Sequence, residues 1–220
     1  MGEDILQRWI AELLRPLLQL WFTSRGIVAL VGADQFIYYR KHDAHKRVAP
    51  DIYVLPGVPP DTHVRAWKIW ETGIAPSFAL EIVSRDWEKD YTEAQVFYDA
   101  AGVGELVVFD PAWAERSHGI RWQVFRRLAR RGLVRVEASN GDRVRARSLG
   151  CWLRVVGDGR ATRVRLGTGP NGDDLVPTAE EAERAAKEAE RAAKEAALLR
   201  VAELEVLLAA RPRRHGAKRR

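Results

Sequence analysis

Two acidic residues in strand-like surroundings constrain the fold of this chain more than any other feature. Glu81 lies in the middle of the apolar run 78–84, and Asp51 opens a short strand directly after Pro50. An ionised carboxylate inside a buried strand is costly unless it is paired, hydrogen-bonded or bound to a metal. Two carboxylates on one face of adjacent strands, which lie about 4.8 Å apart, can converge on a single ion. The sequence therefore predicts a divalent-metal site built on a β-sheet.

Length and composition predict one globular domain with an appendage. The chain has 220 residues, of which 46% are hydrophobic, and this is enough for a domain with its own core. A single cysteine, Cys151, excludes an internal disulfide framework and is typical of a reducing cytoplasm. The N-terminus has no secretory pattern, and no apolar run approaches the ~20 residues of a membrane span. We expect a soluble, cytoplasmic protein that is not associated with a membrane.

The net charge of +6 is concentrated at the C-terminus of the chain. Of 36 basic residues six lie in the segment 211–220, which has no acidic residue, so that residues 1–210 carry 30 basic and 30 acidic residues. The overall charge is therefore no argument for nucleic-acid binding by the folded part. The tail is either a disordered, solubilising end or a non-specific contact for phosphates.

The first third of the chain predicts a helix followed by strands. Apolar residues at helical spacing predict an amphipathic helix over 4–22, and residues 27–31 and 35–40 have the pattern of a β-hairpin. Residues 48–55 form the next strand, in which alternation places Asp51 on one face and Ile52 on the other.

A strand–helix–strand unit follows the long connector 56–76. Residues 78–84 and 105–109 have the pattern of apolar strands, and a helix is expected between them over about 88–101. Such a crossover is right-handed, so that the two strands should be parallel in a sheet covered on both faces.

Arginine is dense in the short strands predicted after residue 120. These strands cover 121–126, 133–137, 143–147 and 151–155. Eight arginines in and between these strands are Arg126, Arg127, Arg130, Arg131, Arg135, Arg143, Arg145 and Arg147. They either form a phosphate-contacting edge beside the active site or cover a solvated strand face with their stems.

The last part of the chain predicts a long charged helix. Thr178 and Glu181 have the spacing of a capping box, and the sequence Ala-Glu-Arg-Ala-Ala-Lys-Glu occurs twice, at 182–188 and 189–195. An apolar seam reaches Leu208 with heptad-like steps and one stutter. The helix either self-associates into a homo-oligomer as a coiled coil or stands alone in solvent.

Phosphodiester cleavage with Mg²⁺ requires hard oxygen ligands and an activated water molecule. Asp51 and Glu81 can be the carboxylate ligands, with a main-chain carbonyl next to Glu81 and water molecules completing an octahedron. An aspartate and a glutamate on adjacent strands are typical of magnesium-dependent nucleases, in which a lysine usually follows two residues after the glutamate. That position is Val83, which cannot supply charge.

Several short motifs occur in the order and spacing of a known family over residues 27–155. They are Ala-Pro-Asp-Ile-Tyr-Val from Ala49, Ala-Leu-Glu-Ile-Val-Ser from Ala79, Asp90 with Tyr98 eight residues on, the segment Ala101–Pro111 and the segment Leu149–Arg154. Each is weak alone, whereas the ordered set is specific. On these motifs the chain resembles the Uma-two family of restriction endonucleases in the PD-(D/E)XK nuclease superfamily, many of whose members end in an Ala/Glu/Arg-rich helix.

The resemblance implies an α/β fold, with a restriction-endonuclease-like core. Such a core has a mixed central β-sheet flanked by helices, and here a long C-terminal helix follows it. Together with the composition, this predicts a nuclease-like domain over 1–156, a linker over 157–177, a charged helix over 178–210 and a basic, disordered tail over 211–220.

The resemblance also implies an endonuclease-like hydrolase that acts on DNA with Mg²⁺ or Mn²⁺ held by Asp51 and Glu81. In this family the lysine has moved to the helix, four residues before the tyrosine, and the position is Ala94 here. Lys89 is the candidate catalytic substitute, and Gln95 can orient water without supplying charge. The alternative is a catalytically inactive nuclease fold that serves as a nucleic-acid-binding or assembly module.

Two histidines and two tryptophans are further candidates for a functional role. His42 and His45 have a metal-ligand spacing, but no cysteine or second cluster accompanies them, and a solvated loop is expected. Trp67 and Trp70 either stack on bases or anchor the long connector.

Overall fold

A computed structural model describes residues 5–63, 65–84 and 94–209, with side chains up to residue 207. By internal contacts the chain divides into two units, Met1–Val176 and Pro177–Arg220. The helices and strands in chain order are α1 (Ile5–Thr23), β1 (Ala29–Gly32), β2 (Ile37–Tyr38), β3 (Arg47–Val48), β4 (Ile52–Pro56), β5 (Trp67–Lys68), α2 (Ile69–Thr72), β6 (Phe78–Ile82), α3 (Ala94–Ala100), β7 (Glu105–Phe109), β8 (Trp122–Leu128), β9 (Gly132–Ser139), β10 (Arg143–Ala146), β11 (Cys151–Val156), β12 (Arg163–Thr168), β13 (Asp174–Leu175) and α4 (Ala179–Ala209).

A mixed sheet forms the centre of the first unit. Its described strands follow the order β1-β4-β6-β7-β8-β9, in which only the β6/β7 pair is parallel. The parallel pair confirms the predicted crossover, and the mixed sheet with its helices confirms the predicted fold class. The helix predicted over 88–101 is described from residue 94 onward, and its predicted first turn lies outside the described residues.

The predicted hairpin of residues 27–31 and 35–40 is wrong. β1 pairs with β4 in the central sheet, whereas β2 pairs with β3 and β5 in a separate small sheet. All four residues of β1 are buried, with Ala29 and Val31 in one core cluster and Leu30 in the other, so that β1 lies in a sheet covered on both faces. The absence of a side chain at Gly32 also leaves room for the ring of Tyr53, its partner in the ladder.

The two faces of the central sheet pack against different layers. On one face, even-numbered residues such as Ile52 and Leu80 pack with the buried stripe of α1 and with the second sheet. On the other face, odd-numbered residues such as Tyr53 and Ala79 pack with Tyr98 of α3. The amphipathic helix predicted over 4–22 is confirmed as α1. A residue's parity in β4 and β6 therefore fixes the layer that it faces.

The second sheet contains part of the predicted linker, and this prediction is wrong for residues 163–168 and 174–175. In the described residues β10, β11, β12 and β13 form an antiparallel sheet in which Val164 and Leu166 are fully buried. The strand alternates Val164 and Leu166 with Arg163 and Arg165, and this period of two places both apolar side chains in the core. The glycine- and aspartate-rich flanks of this strand led to its prediction as a linker. In the structure its backbone hydrogen bonds are made with β11.

Cys151 should be unreactive in the folded protein. Its side chain is fully buried in β11, and desolvation raises the pKa of the thiol from 9.0 to about 12. Because the thiolate is the reactive form, we expect a thiol reagent at pH 8 to modify the native chain about a thousandfold more slowly than the urea-unfolded chain. No other cysteine interferes with this measurement. Equal rates in the two states would contradict the burial of this thiol.

The described part of the second unit consists mainly of the long helix α4. Thr178 and Glu181 exchange side-chain to backbone hydrogen bonds of 2.9 and 3.2 Å, which confirms the predicted capping box. Ion pairs such as Lys187 with Glu183 follow its surface. Its last turns expose large apolar side chains, namely Leu198, Leu199, Val201, Leu204, Val206 and Leu207. Self-association through this helix stays a prediction.

No helix among the described residues combines the length and the apolar character that a membrane span requires.

Candidate metal centre

Asp51 and Glu81 come together across the β4/β6 pair. The two strands are antiparallel, with Ile52 opposite Leu80 and Tyr53 opposite Ala79. Continuing this register by one residue places Asp51 opposite Glu81. Both side chains are half-buried and belong to the odd-numbered face of the sheet, the face that α3 covers. The predicted position of the two acids on one face of adjacent strands is therefore observed.

Each carboxylate is oriented by a donor from the protein. The backbone N–H of Ile82 donates to Oδ2 of Asp51 at 2.6 Å. The hydroxyl group of Tyr98 donates to Oε1 of Glu81. Asp51 directly precedes β4. Its carboxylate accepts the hydrogen bond from the N–H of Ile82, where a backbone carbonyl would be the acceptor in a continued strand. Both acids are thereby held at the carboxyl end of β6.

Gln7 is a residue of this region that sequence reasoning missed. Its side chain is buried on α1, where Nε2 donates a hydrogen bond to the carbonyl oxygen of Ile82. Both backbone polar groups of Ile82 are thus bonded to side chains. Its N–H donates to Asp51, and its C=O accepts from Gln7. A carbonyl oxygen has two lone pairs and can accept a second interaction. The available signal was a polar residue within the apolar stripe of α1.

The two positions at which related nucleases carry a lysine are apolar in this chain for packing reasons. Val83 is 3% exposed and packs in the same core cluster as Tyr98, while Ala94 packs against that cluster at the start of α3. Lys89 lies outside the described residues. Gln95 donates from its amide nitrogen to the carbonyl oxygen of Leu133 at 2.7 Å, which ties it to β9 and does not favour a role in orienting water.

The donor set fits a hard divalent cation better than zinc. Within the ranges that the structure describes, no group of three or more histidine, cysteine and acidic side chains could hold a metal, and both His42 and His45 are exposed. Structural zinc sites use four protein ligands, usually with sulfur or imidazole. Magnesium is often held by one or two carboxylates, with water and substrate phosphate completing the shell. Asp51 and Glu81 match the second pattern.

The arginines at the end of β8 and in the β8/β9 turn lie toward the other end of the central sheet. Glu81 stands opposite Val108, whereas Arg126 stands opposite Glu105, three residues back along β7 and about 10 Å away at the rise of a strand. Three of the arginines form ion pairs with carboxylates, Arg126 with Glu105, Arg127 with Asp99, and Arg143 with Asp142 and Asp173. These positions favour the interpretation of a solvated and internally paired face over a phosphate-contacting edge.

Trp67 anchors the connector, which was one of its two predicted roles. Its side chain is 5% exposed, and the indole N–H donates to the carbonyl oxygen of Ile74 at 2.8 Å. The connector also contains β5 and the short helix α2, so that it is folded onto the small sheet.

The central feature of the site is thus a mixed sheet that carries an aspartate and a glutamate on one face of adjacent strands. The profile of the Uma2 (Uma-two) family matches residues 1–160. The description of this family is "Putative restriction endonuclease". The chain belongs to this family.

Among solved structures the chain is similar to the crystal structure of "a putative nuclease belonging to DUF820" from Anabaena variabilis ATCC 29413. The two chains are 15% identical, with 68% of this chain and 75% of that chain covered and a TM-score of 0.46. No curated protein matches the chain.

Proposed function

We propose that this chain is an endonuclease that hydrolyses the phosphodiester bonds of DNA with Mg²⁺ or Mn²⁺. The observation that carries the proposal is the opposed pair of Asp51 and Glu81 on one face of the β4/β6 ladder. Membership of a restriction-endonuclease family supports the same reaction class. Phosphate oxygens of the substrate would complete a shell that the protein fills only in part.

The side chains have separate roles in this proposal. Asp51 and Glu81 would hold the metal ion, which when bound supplies Lewis acidity and lowers the pKa of a coordinated water molecule. The Ile82 N–H and the Tyr98 hydroxyl keep the two carboxylates oriented before the ion binds. Gln7 fixes the direction of the Ile82 carbonyl, the main-chain oxygen next to Glu81.

We assign the stabilisation of negative charge on the phosphate to Lys89. This lysine lies five residues before Ala94, the first residue of α3, and α3 is the helix that brings Tyr98 to Glu81. A cation near two carboxylates and a phosphate would lower the energy of the charged transition state.

A second candidate function is a nuclease fold without catalysis that binds nucleic acid or assembles with partners. The observation in its favour is that the family lysine position at Val83 lies in the core, while the one at Ala94 is a half-buried alanine that packs against that core. A core position cannot be restored to a catalytic lysine without the cost of burying a charge. The two candidates differ in one measurable property, namely cleavage.

Cleavage of supercoiled plasmid DNA tests the proposal. The purified chain is incubated with Mg²⁺, with Mn²⁺, or with a chelator, and nicked and linear products are quantified. We expect products in both metal arms and none in the chelated arm. A folded chain that leaves plasmid DNA uncut both in Mg²⁺ and in Mn²⁺ would contradict the endonuclease proposal and support the inactive alternative.

Removal of the Tyr98 hydroxyl should weaken metal binding about ten- to a hundredfold, because groups that orient a metal ligand typically contribute that much. Tyr98→Phe keeps the buried ring, which is 2% exposed, and removes the hydroxyl that donates to Glu81. Mn²⁺ affinity measured by calorimetry is the readout. Tyr53→Phe is the matched control, since Tyr53 is equally buried but donates to Gln35. Equal losses in both variants would argue against a role for Tyr98 in orienting Glu81.

A further inference from the structure

An uncompensated positive charge lies on the segment 36–48, which contains β2 and β3 and is called the basic hairpin below. Its cations are Arg40, Lys41, Lys46 and Arg47, and its single acid is Asp43. Within the described ranges none of the four cations forms an ion pair. Since residues 1–210 are neutral overall, this local excess is a property of the hairpin and not of the composition.

Arg47 is held by aromatic rings instead of by a carboxylate. Its guanidinium carbon lies 4.2 Å from the ring centroid of Phe36 and 5.9 Å from that of Tyr38. One guanidinium nitrogen also lies 3.4 Å from the Tyr38 hydroxyl oxygen. Such contacts orient an arginine without neutralising it, and its planar fork of N–H donors suits phosphate oxygens. Phe36 is itself 43% exposed, so that the rings stand at the surface.

The base of the hairpin leads directly into the candidate metal centre. Arg47 precedes Asp51 by four residues, so that their Cα atoms are at most about 14 Å apart. The N–H of Asp34 donates to the carbonyl oxygen of Pro50 at 3.1 Å, which closes the base of the hairpin next to Asp51. Val48 belongs to the same apolar cluster as Tyr98. The hairpin therefore covers the sheet face on which Asp51 and Glu81 lie.

We propose that the basic hairpin binds the phosphate backbone of DNA beside the metal centre. Lys46 and Arg47 contact phosphates, and the exposed ring of Phe36 provides an apolar surface next to them. Contacts of this kind position a nucleic acid without reading its sequence, and they release counterions when they form. The inference rests on the proposed function, for which it names the surface that presents the substrate.

The chain contains a matched control for this charge. Arg130 and Arg131 form the β8/β9 turn, are exposed and have no ion pair in the described part of the protein. They follow Arg126, which pairs with Glu105 at the end of the sheet remote from Glu81. Two charges can thus be removed near the metal centre or far from it.

Fluorescence anisotropy with a labelled DNA duplex tests the proposal, in the absence of divalent metal so that no cleavage occurs. The full-length chain is compared with Lys46→Gln/Arg47→Gln and with Arg130→Gln/Arg131→Gln, each verified as folded by thermal melting. For the hairpin variant we expect affinity to fall about tenfold or more at 0.1 M salt, with the slope of log K against log salt reduced by about 2. The control variant should lose less than half of that slope. Equal losses in the two variants, or no loss in the hairpin variant, would overturn the proposal.

Two further comparisons keep this proposal separate from the nuclease proposal. Hairpin-dependent DNA binding in a chain that never cleaves DNA would retain the hairpin and reject the endonuclease. Metal-dependent cleavage with hairpin-independent binding would retain the endonuclease and reject the hairpin. If the hairpin bound phosphatidylglycerol vesicles but not the DNA duplex, the hairpin proposal would also be rejected. If the first variant fails to fold, Arg40→Gln/Lys41→Gln at the exposed tip gives the same readout.

Discussion

Replacing Glu81 by glutamine should reduce metal-dependent DNA cleavage about a hundred- to a thousandfold while the chain stays folded. The amide keeps the size of the carboxylate and an oxygen that can accept from Tyr98. It loses the negative charge that would hold the cation, and groups that stabilise transition-state charge typically contribute this much to a rate. The rate of plasmid nicking in Mg²⁺ is the readout, and a thermal melt verifies the fold.

A second ligand variant and a control variant accompany this experiment. Asp51→Asn should cause a loss of similar size, because the two acids face each other across the same strand pair. Glu71→Gln should leave cleavage unchanged, since Glu71 is exposed and pairs with Lys68 at 3.0 Å. A folded Glu81→Gln protein that cleaves at the wild-type rate would remove Glu81 from the mechanism.

The second large effect is expected at Glu105, where replacement by alanine should cost about 3–5 kcal/mol of unfolding free energy. Glu105 is 2% exposed and accepts four hydrogen bonds. The donors are Nε of Arg126 at 2.8 Å, the backbone N–H groups of Arg147 and Ser148 at 3.1 and 2.8 Å, and Oγ of Ser148 at 2.6 Å. Truncation leaves a partly buried guanidinium and two backbone donors without their acceptor.

This carboxylate joins the central sheet to the second sheet, because Glu105 lies in β7 and Arg147 follows β10. Urea unfolding monitored by tryptophan fluorescence measures the loss. Asp142→Ala is the control, because Asp142 forms a half-exposed ion pair with Arg143 at 2.8 Å. This variant should lose about 1 kcal/mol of unfolding free energy or less. If both variants lost the same free energy, burial would not be the source of the effect at Glu105.

The sequence was sufficient for those features that depend on local pattern. The period of α1, the parallel β6/β7 pair and the shared face of Asp51 and Glu81 all follow from periodicity and from the handedness of the crossover. The capping box at Thr178 is a local motif as well.

Features that depend on long-range pairing could not be predicted in the same way. β1 was expected to pair with the segment that follows it, but burial on both faces favours β4, more than twenty residues away. β12 was hidden by glycine- and aspartate-rich flanks and is recognised through its ladder with β11. The contact of Gln7 with Ile82 joins residues 75 positions apart, and no spacing rule connects them.

Titration of the apo protein with Mn²⁺ by calorimetry tests the central claim most directly, namely that Asp51 and Glu81 form a divalent-metal site. The expected result is one Mn²⁺ site in the wild-type chain that is lost in both Asp51→Asn and Glu81→Gln, while Glu71→Gln binds normally. A wild-type chain that binds no Mn²⁺ at millimolar concentration would contradict the claim. So would undiminished binding in both carboxylate variants.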